Sequence, residues 1–375
     1  MKQLMIGNEA IARGAFEAGA TVATAYPGTP STEIVTNFAD FEGVYAEWAP
    51  NEKVAMEVGV GASIGGARTL VAMKHVGINV AADPLYTFAY TGVNGGMVIV
   101  SADDPGMHSS QNEQDNRGYG RFAKLLVIEP SDSQEALDFT RQAFDLSEQF
   151  DTPVMLRITT RLAHSQTMVE KGEPQAPVLK EYKKNAPKYV MLPGYARGRH
   201  VEVEKHFEAL REYVEQSPLN RIEWGDRKIG IITSGIPYQY VKEVMGDVSV
   251  LKLGIVNPLP RKMIEEFAAG VERLIIVEEL EPVIEEQVRS WGIKVEGKEH
   301  FTLLGEYSPE YIELQLKGAA PPASFGLEKE IPARPPLLCA GCPHRGVFHT
   351  LRRMRLKVAG DIGCYTLGAL SPLEG

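Results

Sequence analysis

The sequence predicts an α/β protein whose parallel sheets are covered by helices. Helical and strand periodicity alternate over residues 1–165 and again over 190–318, and such alternation builds parallel sheets with helices on their faces. Segments 96–102 (GMVIVSA) and 153–159 (PVMLRIT) are nearly continuous apolar runs, as expected of strands buried on both sides. In such folds active sites lie at the carboxyl ends of the strands.

In chain order the first half reads as helix 8–18, strand 21–26, helix 30–38, helix 51–66, strand 69–73, helix 77–90, strand 97–101, helix 133–149 and strand 153–158. Helix 51–66 has Asn51 as N-cap and Val54, Ala55, Val58 and Ala62 at helical spacing. Gly59, Gly61, Gly65 and Gly66 each weaken it by up to about 1 kcal/mol, so a neighbour is expected to pack too closely to admit a Cβ. Residues 166–189 lose periodicity and read as a linker. A charged helix at 199–215 then leads to three strands, KIGIITSG, VSVLKLGIV and RLIIVEE, each followed by a helix-length segment (237–245, 260–268 and 282–290). A Pro-rich spacer occupies 319–336. Residues 337–375 are too few for an independent core, so the chain is expected to stop inside a third domain.

Composition narrows the functional classes. The 375 residues are 44% apolar, enough for full cores, and 49 acidic against 39 basic residues give a net charge of −10, which argues against nucleic acid or an anionic membrane as partner. No apolar run reaches 18 residues, and the N-terminus lacks a cleavage site after its apolar stretch. The three cysteines, Cys339, Cys342 and Cys364, suit a reducing cytoplasm better than a disulfide framework.

Several motifs carry chemistry. Glu52 is an acid in the first turn of an otherwise apolar helix, either complementing the helix dipole or serving a reaction. Residues 24–33 (TAYPGTPSTE) are a strand end, a turn and a helix start, with Thr29 read as N-cap and Pro30 as first helical residue; their amides suit a carboxylate, or simply cap the helix. Residues 103–117 crowd His108, Ser109, Ser110, amides and Arg117 after a strand, while Lys74 and His75 follow another strand and converge on the same edge. The glycines of 59–65 lie inside a helix, not before one, which excludes a dinucleotide fingerprint. Cys339-x-x-Cys342 with Cys364 suits zinc together with His344, an iron–sulfur cluster with a fourth ligand, or plain reduced thiols.

Taken together, AYPGTPSTE, NEKVAMEVGVGAS, MKHVGINVAADP, ADDPGMHSSQNEQDNR, CAGCPHR and GDIGCYTLGAL resemble the alpha subunits of indolepyruvate ferredoxin oxidoreductases, thiamine-diphosphate enzymes of the 2-oxoacid:ferredoxin oxidoreductase group. The resemblance runs from end to end. It implies a pyrimidine-binding domain at 1–165, a transketolase C-terminal-like domain at 190–318 and the start of a diphosphate-binding domain at 337–375. Glu52 then becomes the catalytic acid that hydrogen-bonds the cofactor's aminopyrimidine ring, held protonated by an apolar site. Gly28, Lys74, His75, Asp361, Gly363 and Cys364 are the further cofactor-binding residues. Thr29 leads the substrate candidates, with Ser31, His108, Ser109 and Arg117. Cys339, Cys342 and Cys364 resemble three ligands of a [4Fe-4S] cluster. The implied reaction decarboxylates an aryl pyruvate, passes electrons to iron–sulfur clusters and ferredoxin, and gives the acyl group to coenzyme A. A beta subunit and oligomerisation are expected. GDIGC is not the family's magnesium motif, so the Mg2+ anchor is expected elsewhere and this chain is expected to be inactive alone. The rivals are the same chemistry on pyruvate or another 2-oxoacid, and a non-catalytic cofactor-binding or assembly protein.

Overall fold

The computed structural model describes residues 2–319, 326, 332, 335–360 and 362–373. It divides into two compact units, 1–321 and 322–375. The first unit is built on a seven-stranded sheet in the order Ile255–Asn257, Leu126–Ile128, Val154–Thr159, Met97–Asp103, Thr69–Lys74, Val22–Ala25, Tyr45–Trp48. All neighbours are parallel except the first pair. Every residue of Met97–Asp103, Thr69–Lys74 and Val154–Thr159 is buried, which is why these strands read as unbroken apolar runs.

A four-stranded sheet follows, ordered Arg273–Val277, Asp226–Ser234, Val248–Leu253, Arg221–Glu223, with the last strand antiparallel. The sheets are therefore mixed, not wholly parallel. One core reaches from Val71, Met97 and Val127 to Ile232, Leu251 and Phe267, so the two segments share their apolar interior. Helix Pro193–Val214 lays Phe207, Leu210 and Val214 on the first sheet's other core.

Differences from expectation have local causes. Residues 166–189 are not featureless: Gln166–Glu170 pairs antiparallel with Lys2–Ile6, and Ala186–Tyr189 is a short helix. Helix 77–90 is two helices, His75–Val80 and Ala82–Thr91, broken at Ala81. Pro84 lacks an N–H and its ring would strike the carbonyl of Val80, so one continuous helix is excluded. Of the glycines at 59–66, Gly59 packs on Val71, where a Cβ would lie 2.4 Å from Cγ2, and Gly66 has a φ of +104° with a Lys180 carbonyl against it. Gly61, by contrast, has no described residue within 4 Å of its Cβ position beyond its own helix backbone.

The second unit contains helix Pro343–Arg353 and a 3-10 turn Cys364–Ala369, with the ring of Phe348 against Gly368. Among the described residues no helix is long and apolar enough to cross a membrane.

Candidate active site

Because strands Tyr45–Trp48, Val22–Ala25, Thr69–Lys74, Met97–Asp103 and Val154–Thr159 run parallel, their carboxyl ends and the segments leaving them share one edge of the sheet. Glu52 reaches that edge through Asn51, whose side chain accepts from Val54 N at 3.0 Å and starts helix Glu52–Ile64. The half-buried Glu52 side chain lies on Gly77, a buried residue of the neighbouring helix. A Cβ there would stand 2.6 Å from Glu52 Cγ and 2.9 Å from Oε1. Any other residue at 77 would displace the carboxyl.

Three further candidates surround the same edge. Lys74 is 9% exposed; its ammonium donates to the Ser109 carbonyl, and its stem underlies Gly28, where a Cβ would come within 3.4 Å. Burial pulls the Lys74 pKa below its usual value, partly offset by Asp104. Asp104 accepts from Ser109 N at 2.9 Å and Thr160 Oγ1 at 2.7 Å, and also from the Ser110 hydroxyl. Burial raises the Asp104 carboxyl, but these donors outweigh it and hold the pKa below the usual range. His75 is fully buried, with Nε2 3.1 Å from Asn112 Oδ1, while Nδ1 is buried without a hydrogen-bond partner among the described residues.

The loop after strand Met97–Asp103 is stapled over helix His75–Val80. Asn116 Nδ2 donates to the His75 carbonyl at 3.0 Å and to Ser101 Oγ at 2.7 Å, and Asn116 N donates to Asp103 Oδ2. Gln114 adds a bond to Asn79 Oδ1 at 2.8 Å. Helix His75–Val80, and hence Gly77 under Glu52, is thereby fixed from the next strand along.

The remaining sequence candidates divide. Thr29 is exposed at the turn, whereas Ser31 is 1% exposed and its hydroxyl bonds the Gly28 carbonyl at 3.0 Å, closing the turn itself. The helix begins at Thr32 with Ser31 at its N-cap, not at Pro30 after Thr29, because Gly28 N is taken by Thr32 Oγ1 and Ser31 N by the Gly28 carbonyl. Ser109 and His108 are exposed. His108 Nε2 lies 3.3 Å from Glu306 in a cavity of about 250 Å³ that Thr160, Arg161, His164 and Ser165 also line.

Arg117 is a correction. It is 1% exposed and spends its guanidinium on Asp115, on Glu278 at 2.7 Å and on the carbonyls of Glu279 and Glu281. A guanidinium so buried and so engaged is held inside the fold, not presented to a substrate at the sheet edge.

In the second unit Asp361 lies outside the described residues, and Gly363 precedes the turn with a φ of +132°. Cys339 and Cys364 are exposed, and Cys342 Sγ is 3.3 Å from His344 Nδ1. The only group of three His, Cys, Asp or Glu side chains close enough to share a cation, among the described residues, is Glu296, Glu299 and His300. Arg273 pairs with Glu296, and Arg289 with Glu299 at 2.6 Å. Among the described residues the three cysteine thiols are therefore not gathered into one group.

Sequence reasoning missed Gly77, Asp104, Asn116 and Thr160. Gly77 alone left a signal, a glycine within a helical stretch directly after a strand.

Residues 13–217 match the family described as "Pyruvate flavodoxin/ferredoxin oxidoreductase, thiamine diP-bdg". The chain is 44% identical over 406 residues to indolepyruvate oxidoreductase subunit IorA of Archaeoglobus fulgidus, covering 100% of this chain and 65% of that protein. It is 44% identical over 410 residues to the protein of the same name from Pyrococcus horikoshii, covering 100% and 63%. The chain thus spans 63–65% of the length of these two relatives. Among solved structures, 2-oxoglutarate:ferredoxin oxidoreductase from Magnetococcus marinus superposes with a TM-score of 0.71 at 18% identity, over 84% of this chain and 65% of that one. At that identity the likeness is one of fold.

Proposed function

The chain belongs to the thiamine-diphosphate-binding family of pyruvate flavodoxin/ferredoxin oxidoreductases, and from that premise we propose that it is a subunit of an oxidoreductase that decarboxylates an aryl pyruvate such as indolepyruvate, forms the acyl-CoA and reduces ferredoxin. The observation that carries the reading is the Glu52 carboxyl seated on Gly77 at the carboxyl edge of the sheet. A beta subunit would complete the assembly. On this reading residues 1–165 are the pyrimidine-binding domain, 190–318 the transketolase C-terminal-like domain and 337–375 the beginning of a diphosphate-binding domain.

The residues present fit the pyrimidine half of thiamine diphosphate. Gly77 is a cradle that a Cβ would fill, and His75 Nδ1 is a buried polar atom without a partner among the described residues. Glu52 would meet the ring, with Gly28, Lys74 and His75 beside it. The bound cofactor supplies a nucleophilic carbon for the keto group and an acceptor for the electron pair released with carbon dioxide. With the cofactor bound, the Glu52 carboxyl would hydrogen-bond a ring nitrogen and could pass a proton there, the part of general acid–base work that needs a fixed carboxyl. Lys74, tied to the Ser109 carbonyl, keeps the 104–116 loop against the edge and adds a positive charge. Thr29 and Ser109, both exposed at that edge, would receive the substrate carboxylate.

The test is turnover by the complete complex with coenzyme A and an artificial or native one-electron acceptor. Indolepyruvate and other aryl pyruvates should show the highest kcat/KM in a panel that includes pyruvate and 2-oxoglutarate. Preference for an aliphatic 2-oxoacid would sink the substrate assignment, and no reduction with any of them would favour a non-catalytic role.

A further inference from the structure

Between the seven-stranded and four-stranded sheets lies a small polar cavity whose walls include Arg117, Glu129, Arg157, Thr159, Ser234 and Glu279. Its free volume of about 10 Å³ is close to the room one water needs. Three of these residues present a buried side-chain atom with no hydrogen-bond partner among the described residues: Arg157 Nη2, Thr159 Oγ1 and Glu279 Oε2. Arg157 and Thr159 are each 5% exposed and Glu279 is 3% exposed. Buried polar atoms are rarely left unpaired, because desolvation without a bond is costly. Thr159 is also an N-cap whose hydroxyl makes no capping bond to helix Thr160–His164, so it is available to the cavity.

We infer that this cavity is a hydration site shared by the two sheets, in which bound water accepts hydrogen bonds from Arg157 and Thr159 and donates one to Glu279. A donor pair and an acceptor are what a single water requires. Neither ion competes well. Carboxylates of Asp103, Asp115, Glu129, Glu278 and Glu279 outnumber the guanidiniums of Arg117 and Arg157, which disfavours an anion, and those guanidiniums disfavour a cation. Arg157 serves Asp103 through Nε at 2.9 Å and Glu129 through Nη1 at 3.0 Å, which leaves Nη2 for the cavity. Glu279 Oε1 takes the Tyr307 amide at 2.8 Å, leaving Oε2 for the water, which donates to it where the carboxyl is ionised; where Oε2 carries the proton it donates to the water instead, and the Thr159 hydroxyl turns to accept. Burial pushes the Glu279 carboxyl up to about 7, with Glu306 and Glu129 adding to the rise against Arg157 and the Tyr307 amide; Arg161 and Tyr240 face it too. The walls come from both sheets, so the site exists only while they are docked.

The test is Thr159→Val in the full-length protein, read by thermal unfolding and by oxygen-17 relaxation dispersion, which counts long-lived internal waters. A hydrated cavity predicts a Tm lower by roughly 2 °C and one long-lived water fewer, with Thr159→Ser retaining both. A dry cavity predicts an unchanged or higher Tm, since an orphaned hydroxyl has been removed. That result, or an unchanged water count, overturns the proposal. Should Thr159→Val fail to fold, a crystal structure of the wild type decides: ordered water between these three atoms supports the site, and an empty cavity overturns it.

Discussion

Gly77 has no side chain, and that absence seats Glu52. The sequence marked Glu52 as an acid in a first turn, but its partner across the edge could not be read, because the contact joins helices that a strand separates in the chain. In the complete complex Glu52→Gln should keep cofactor binding and lose activity by about 10²- to 10⁴-fold, the usual contribution of a placed general acid–base. Retained hydrogen–deuterium exchange at the cofactor's reactive carbon would contradict the role. Gly77→Ala should mimic that loss without touching the carboxyl's chemistry. Its Cβ would sit 2.6 Å from Glu52 Cγ, and a misplacement of about 1 Å can cost on the order of 10²-fold in rate. Comparing kcat/KM with the thermal midpoint separates this from unfolding. Thr29 and Ser31, neighbours in one motif, illustrate the limit of pattern reading: one is exposed and the other is locked into the turn it closes.

Helix Glu52–Ile64 was legible to within a few residues, since a capping Asn51 and regular apolar spacing are both local signals. Its glycines were legible only as a group. Gly59 is required by Val71, while Gly61 has open space around its Cβ position. Gly61→Ala should therefore stabilise the isolated chain by up to about 1 kcal/mol, seen as a higher urea midpoint with an unchanged slope. A loss of stability would show that the helix has a neighbour this structure lacks. Strand Tyr45–Trp48 escaped notice because it is a four-residue edge, mostly exposed, with no apolar run to betray it. The paired helices at 75–91 looked continuous because helical spacing persists across the break that Pro84 imposes.

Across the whole molecule, buried charge joins the two sheets: Arg157 to Asp103 and Glu129, Glu129 to Ser234, and Arg117 to Glu278. Glu279 gives this interior a pH dependence. Its carboxyl is raised from an ordinary 4.5 to about 7 by burial, so the folded chain keeps a proton that the unfolded chain releases. The contribution is full below pH 4.5, falls as pH rises to 7 and is lost above it. At about 1.4 kcal/mol per pH unit the fall is about 3 kcal/mol. Glu279→Gln should remove this slope, so the wild-type and variant stabilities, measured by denaturant titration from pH 5 to 8, should separate progressively with pH; parallel curves would rule the carboxyl out as the source. The sequence by itself determined the α/β class, most helices and buried strands, and the residues at the mouth of the sheet, because periodicity, capping and apolar runs are set by near neighbours. Only the tertiary structure decided that Arg117 points inward, that Gly77 underlies Glu52 and that the two segments share one core. Those outcomes depend on contacts between residues far apart in the chain, where packing and desolvation choose the partner and local pattern has no vote.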